Sequence, residues 1–502
     1  MKRTTSKRLL HMKMAKLANF IRPLTIYFRQ MKIFLLPITL SLLILCSCSL
    51  GKTKKNQNEV KEKMIPDLAQ IKESGFIKVV TNYNSTNYFV YKGQPMGYQY
   101  ELLQQFANFM DIKLEVSVSN DLDANFIALQ NGQLDIIASS LAVTRETEEL
   151  VAFTEPHSYS RQVLVQQAYS KVKGGAPVPN ELIRNQLDIA GKSIYVQKGS
   201  AYVQRLRSLA NEIGDSINIV EIPDYEVEQL IELVADGEIP YTVCDENLAR
   251  VNLNFYPNLD VETAVSFPQK QAWAVNKSAP ELLNAINNWM VGFKKSASYQ
   301  RIYQKYFLNK RSIHIVDAGF HSVKGGQVSV YDDMIQSASK EYDWDWRLIA
   351  SIIYQESRFI PDAESWAGAK GLMQLMPQTA ERFGVTSINS PRENIQGGIQ
   401  LLEWLDERMK LRVEDPSERI KFVLASYNVG IGHVLDAMLL AEKYGKDPAV
   451  WYDNVDFYLL NKSNPKYYND PIVKFGYCRG EEPYHYVREI LERYEHYKNV
   501  MH

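Results

Sequence analysis

Cysteine is scarce: the 502-residue chain holds four, and two of them, Cys46 and Cys48, fall in one short N-terminal stretch. Cys244 and Cys478 lie in different predicted domains and frame no disulfide set, metal-ligand spacing or redox pair, so both are read as small buried hydrophobes. No metal and no cofactor are expected. An excess of one charge is also missing. With 57 Lys and Arg against 58 Asp and Glu the net charge is -1, which leaves no whole-chain case for nucleic acid as a partner. Long apolar runs are lacking too: Ile33 to Leu45 is short and interrupted by Pro37, whereas a spanning helix needs about 20 residues. With Met31 and Lys32 before it and small residues after it, this run reads as a signal peptide, with a plain transmembrane anchor as the alternative. The basic residues ahead of it (Lys2, Arg3, Lys7, Arg8, Arg22, Arg29) form an extended n-region, or Met31 is the true start.

What is present is ordinary globular composition, 45% hydrophobic and 23% charged, in a chain too long for one core. The 30 tyrosines and 7 tryptophans suit sugar rings and protein cores equally. Lys52 to Lys63 is polar and aperiodic, a flexible tether. From Ile65 to Leu308 short β-branched strands (77–81, 113–118, 134–138) alternate with helical patterns (100–110, 126–131), predicting an α/β architecture with parallel strands. Asn309 to Gly326, with three glycines, reads as a linker. An all-helical pattern follows: 331–340, 346–356, 379–383, 395–409, 417–428 and 434–444.

Within this helical part, Leu348, Ile349, Ile352 and Ile353 form a stripe at three-and-four spacing, and its next step is Glu356. Burial at the end of such a stripe raises a carboxyl pKa and suits it to general acid chemistry. On spacing alone, a helix-terminal glutamate turned to solvent explains the pattern as well.

The surrounding motifs narrow this. Gln355-Glu356-Ser357-Arg358-Phe359, the run Gly368–Pro377 (GAKGLMQLMP), Ala425–Gly430 (ASYNVG) and Tyr484–Val487 (YHYV) resemble, in order, the motifs of the soluble-lytic-transglycosylase, lysozyme-like family. The resemblance implies non-hydrolytic cleavage of the bond from N-acetylmuramic acid to N-acetylglucosamine in peptidoglycan. Glu356 would be both acid and base, and the muramic acid C6 hydroxyl would be the nucleophile. By motif, Ser357 and Ser365 would hydrogen-bond near the acid or an N-acetyl group. Gln374 would offer its amide to an N-acetyl carbonyl. Tyr427 and Asn428 would orient the acetamido group or the reacting hydroxyl, and Tyr486 would hydrogen-bond Glu356. Asp362 and Glu364 are candidates for a second carboxylate, with a solvated loop role as the other reading. They keep a lysozyme-like hydrolase as one alternative. A non-catalytic glycan-binding lipoprotein is another.

The middle segment is similar to the bacterial extracellular solute-binding proteins of the amino-acid-binding type, in 77–83 (IKVVTNY), 97–107, 128–144 (ALQNGQLDIIASSLAVT), 151–156 (VAFTEP) and 299–307. Two lobes are implied, 65–163 plus 265–308 and 164–264, with a ligand cleft reached by Ser139, Ser200 and Asp245. Where the family places an arginine for the ligand carboxylate, this chain has Thr147. That favours a peptide or muropeptide over a free amino acid, with a structural spacer as the other reading. Leu45-Cys46-Ser47-Cys48 resembles a lipobox, implying a lipidated Cys48, and Ser49 after it favours the outer membrane, facing the periplasm. The whole order resembles the membrane-bound transglycosylase F type: signal peptide 1–47, lipidated Cys and tether 48–64, a two-lobed α/β periplasmic-binding-protein-like domain 65–308, linker 309–326, and a mainly α lysozyme-like catalytic domain 327–502. Its expected partners are peptidoglycan glycan strands, the membrane through the lipid anchor, and a muropeptide, peptide or amino-acid ligand.

Overall fold

The computed structural model describes residues 65–170, 178–223, 225–308 and 326–501. The expectations for residues 1–64, Cys48 among them, and for the linker 309–325 lie outside the described residues. Two sheets organise the middle of the chain. In the first, 113–118, 76–81 and 136–142 run parallel, and 269–275 joins them antiparallel. In the second, 218–222, 193–197 and 241–245 run parallel, with 162–167 and 259–260 added antiparallel. The expectation of parallel strands is thus corrected at one edge of each sheet. Those antiparallel strands lie next to the two passages from lobe to lobe, at 160–163 and 264–269. A chain that leaves a sheet and re-enters it must run back along its edge. The passages pair with each other: Val265 N donates to Gln162 O (2.8 Å) and Gln162 N to Ser266 Oγ (2.8 Å).

Strand residues Ile77, Val79, Val163, Leu164 and Val165 are fully buried, as sheets covered on both faces require. The helical part contains Asp332–Glu341, Trp346–Ser357, Pro377–Arg382, Pro391–Lys410, Pro416–Val429 and Ile431–Lys443, all near the predicted positions. It also contains Glu481–Val500, which periodicity had not assigned. This last helix buries Tyr486, Val487, Ile490, Tyr497 and Val500 at three-and-four spacing, and its Pro483 sits in the first turn, where a missing N–H breaks nothing.

Packing does not stop at the expected domain border. One hydrophobic cluster runs from Ile77 and Trp273 of the first lobe through Ile349, Leu402 and Ile490 of the helical part, while the second lobe keeps clusters of its own. The C-terminal helix makes the junction. His496 Nδ1 shares a 2.7 Å hydrogen bond with Tyr88 Oη, Tyr497 Oη donates to Gly93 O (2.9 Å), and Asn499 Nδ2 donates to Val116 O (2.8 Å). Burial drives the His496 pKa down to about 4, so the ring is neutral and bridges the Tyr88 and Tyr100 hydroxyls.

Gly93 turns the hairpin 89–96 at φ +79, and a Cβ there would lie 2.5 Å from Tyr354 Cδ2 and 2.7 Å from Tyr497 Oη. Gly93→Ala is expected to lower Tm, with a cost of roughly 1–3 kcal/mol from overpacking and the left-handed backbone. An unchanged Tm would mean that the hairpin and the helical part do not bear on one another.

Candidate active site

The helix Trp346–Ser357 starts where the Asp345 side chain accepts from Arg347 N and buries Leu348, Ile349, Ile352 and Ile353. It stops abruptly: Arg358 (φ 51) and Phe359 (φ 62) are consecutive left-handed residues, an uncommon state for side chains with a Cβ. Glu356 is the penultimate residue of this helix, half-buried, with its carboxylate in dense surroundings. Burial, assisted by the charge of Glu482, lifts its pKa to about 7, against the pull of the hydrogen bond that Tyr486 Oη donates to Oε1 (2.5 Å). Tyr486 is fixed opposite because the C-terminal helix packs along the acid helix, where Ser351 Oγ donates to Ile490 O (2.8 Å) and Arg493 donates to Gln355 Oε1 (2.9 Å).

The loop that follows ties its polar side chains into its own backbone. Ser357 is buried and donates to the carbonyl of Leu372 (2.8 Å), pinning the end of the acid helix to the loop. Ser365 closes a small ring: its Oγ and its backbone O accept from Ala369 N and Gly368 N, and its N donates to Ala369 O (2.9 Å each). Gln374, at φ 47, directs Nε2 to the carbonyls of Ala363 and Gly371 (2.9 Å each). Two carbonyls around that nitrogen fix the orientation of the amide, so its donors serve the loop and only its oxygen is left to accept. Met373 is fully buried, and its carbonyl accepts from Tyr427 Oη (2.7 Å). Tyr427 is close enough to feel the Glu356 charge, which together with burial pushes its hydroxyl pKa well up. Asn428, the next residue, is half-exposed, and its side chain has no hydrogen bond among the described residues. Asp362 is exposed, and Glu364 lies 59% exposed, 3.4 Å from Lys370. Neither stands as a buried partner to Glu356. Trp366, fully exposed on the same loop, carries no signal that periodicity could register.

Ser139, Ser200 and Asp245 line one cavity of about 930 Å³ between the lobes. Ser139 Oγ and Ser200 Oγ are buried without partners, an arrangement that suits a ligand. Asp245 accepts from Ser160 Oγ (2.8 Å) and Asn247 N (2.9 Å), and burial raises its pKa to about 6. Thr147 is spent locally, capping the helix Arg145–Leu150 with Thr144, and Arg145 is exposed outside the cavity lining. Sequence reasoning missed Glu226 and Glu228 in this lining. Glu228 reaches across the lobes to accept from the Ser85 hydroxyl and from Ser85 N (3.2 Å). Among the described residues no group of side chains is placed to hold a metal, and no helix is long and apolar enough to cross a membrane.

Two family models match. Bacterial extracellular solute-binding proteins, family 3, covers residues 76–309, and the Transglycosylase SLT domain covers residues 333–450. The second stops short of Tyr486. A membrane-bound lytic murein transglycosylase F of Desulfosudis oleivorans is 35% identical over 429 residues, covering 85% of this chain and 91% of that protein. Its namesake in Pseudomonas fluorescens is 31% identical over 432 residues, covering 85% and 86%. Among solved structures, an ancestral arginine-binding protein bound to arginine aligns with 46% of this chain and 98% of its own, at 23% identity and a TM-score of 0.40.

Removing the Tyr486 hydroxyl takes away the hydrogen bond that favours ionised Glu356. Tyr486→Phe is therefore expected to raise the Glu356 pKa further above about 7, making it roughly a tenfold weaker acid. Carboxyl-resolved NMR titration checks this. A pKa that stays or falls would deny that Tyr486 tunes the acid.

Proposed function

We propose, from the premise that this chain belongs to the membrane-bound lytic murein transglycosylase F family, that Glu356 alone carries both proton transfers of its reaction. The chain is a peptidoglycan lytic transglycosylase of the cell envelope, a periplasmic-binding-protein-like α/β domain followed by a helical SLT domain. The observation that carries the reading is a carboxyl held near pH 7 by burial, with no second buried carboxylate beside it among the described residues. A glycosidic oxygen leaves only once protonated. Glu356 gives its proton to that oxygen as the C1–O bond breaks. The resulting carboxylate takes the proton of the muramic acid C6 hydroxyl while O6 bonds to C1, so the 1,6-anhydro ring closes and no water is consumed. An ordinary glycosidase would need a second carboxylate for the nucleophile or for water.

Tyr486 keeps the carboxyl oriented and limits how far burial raises its pKa. Asn428 is free to hold the acetamido group, and the Gln374 oxygen can accept from an acetamido N–H. Ser357 and Ser365 act by shaping the loop.

The interlobe cavity is read as the seat of a peptide or muropeptide that carries an ammonium group. Asp245 and Glu226 offer it carboxylates. The lining arginines, Arg205 and Arg207, are paired with Glu212 and Glu221, and the usual carboxylate-binding arginine is replaced by Thr147. Attachment is read as lipidation at Cys48, with Ser49 favouring the outer membrane.

Glu356→Gln is expected to abolish release of anhydro-muropeptides, read by mass spectrometry; a product of wild type heavier by one water would indicate a hydrolase. The same substitution has a stability signature. The folded carboxyl titrates near 7 and the unfolded one near 4.5, so the penalty of ionising it in the fold starts above about pH 4.5 and is complete above about 7. Glu356→Gln should then raise stability at pH 8 by on the order of 1–2 kcal/mol and by nothing at pH 4. Equal gains at both values would deny the raised pKa. For the cavity, a muropeptide with a free amine is expected to raise the Tm of the whole protein, and its N-acetylated form is not. No shift with any amino acid, peptide or muropeptide would make the domain a spacer.

A further inference from the structure

The loop between Tyr468 and Gly480 has no part in the chemistry above, yet the protein fixes it with a costly device. Lys462 and Asp436 are fully buried and joined at 2.6 Å, with His433 Nδ1 2.9 Å from the Lys462 ammonium. Taking two charges out of water carries a large desolvation penalty that their attraction only partly offsets. What the pair holds is backbone: Asp436 also accepts from Lys474 N (2.9 Å) and Phe475 N (2.8 Å). The side chain so positioned is exposed. Phe475 is 57% accessible, an arrangement the hydrophobic effect opposes.

Its ring has one supported side. A Cβ on Gly432 would fall 2.5–2.7 Å from Phe475 Cε1, Cδ1 and Cγ, so the ring rests directly on the glycine backbone. Gly432 lies just past the corner that carries Tyr427 and Asn428, and Tyr427 is within electrostatic reach of Glu356. Trp366 is more exposed but lies on nothing. A rigid aromatic ring with one side supported and the other open suits a pyranose, whose axial C–H groups form an apolar face that meets the negative face of the ring.

We propose that Phe475 is a sugar-stacking platform, a further glycan subsite beside Asn428, and that the buried Lys462–Asp436 pair exists to position it. The inference rests on the glycan-cleaving reading above. It predicts that this ring contributes to holding the strand and not to breaking the bond.

Kinetics of the full chain on purified uncrosslinked glycan strands test it. Phe475→Ala is expected to raise KM roughly three- to tenfold with kcat at saturation and Tm unchanged, and Phe475→Trp is expected to restore KM. Gly432→Ala, which keeps the ring but pushes it off its seat, should raise KM likewise. An unchanged KM in Phe475→Ala overturns the proposal. So does a loss that Trp fails to restore, or one accompanied by lower Tm and kcat, since those mark a packing residue. Failure of the underlying reading looks different: wild type itself would release no anhydro ends.

Discussion

The packing of the C-terminal helix along the acid helix is the contact on which the rest depends. Along one face Glu481–Val500 places the Tyr486 hydroxyl on Glu356; further along, Arg493 ties to Gln355 and stacks its guanidinium over Tyr354. Near its end, Tyr497 and Asn499 bond to the first lobe. A helix is stiff over this length, so the position of Tyr486 against the acid and the seating of the helical part on the lobe are set together. Loosening either end would alter the 2.5 Å hydrogen bond to the Glu356 carboxyl.

That hydrogen bond also moderates the upward shift that burial imposes on the carboxyl. Burial alone favours the neutral carboxyl, and each donor aimed at it favours the anion. Two tyrosines stand close, but only one donates to Glu356, because Tyr427 gives its proton to the Met373 carbonyl. A second donor would draw the pKa down and leave an acid already ionised at neutral pH. The loop therefore contributes by withholding a donor. Its own polar side chains follow the same pattern, since Ser357, Ser365 and Gln374 satisfy loop carbonyls and amides that a water-poor cleft would otherwise leave unpaired.

The sequence was most legible where one element carried its own signal. The stripe Leu348, Ile349, Ile352, Ile353 led to Glu356, and the structure keeps all four buried. Sequence motifs pointed to Tyr486, but its distance of 130 residues from Glu356 hides the contact from any local pattern. The C-terminal helix could have been read from Tyr486, Val487, Ile490, Tyr497 and Val500; tyrosines among charges and a proline near the start obscured it, although that proline is harmless in a first turn. The roles of Ser357 and Gln374 were not legible, because short polar side chains serve backbone and ligand equally well and a motif does not say which. Nor was the merged core, which depends on His496 meeting Tyr88 across 408 positions.

The merging has a mechanical consequence for the cavity. Asn84, Thr86 and Asn87 form part of its wall, and Ser85 among them holds Glu228 from the opposite lobe. The hairpin that follows carries Gly93, where a Cβ would collide with Tyr354, two residues before Glu356 on one helix. Packed interiors do not absorb displacements of this kind by compressing; they pass them to the next rigid element. The wall of the cavity and the acid helix are therefore joined by continuous packing through one glycine and one tyrosine. The second lobe, with cores of its own, meets this stretch through the Glu228 carboxylate on Ser85.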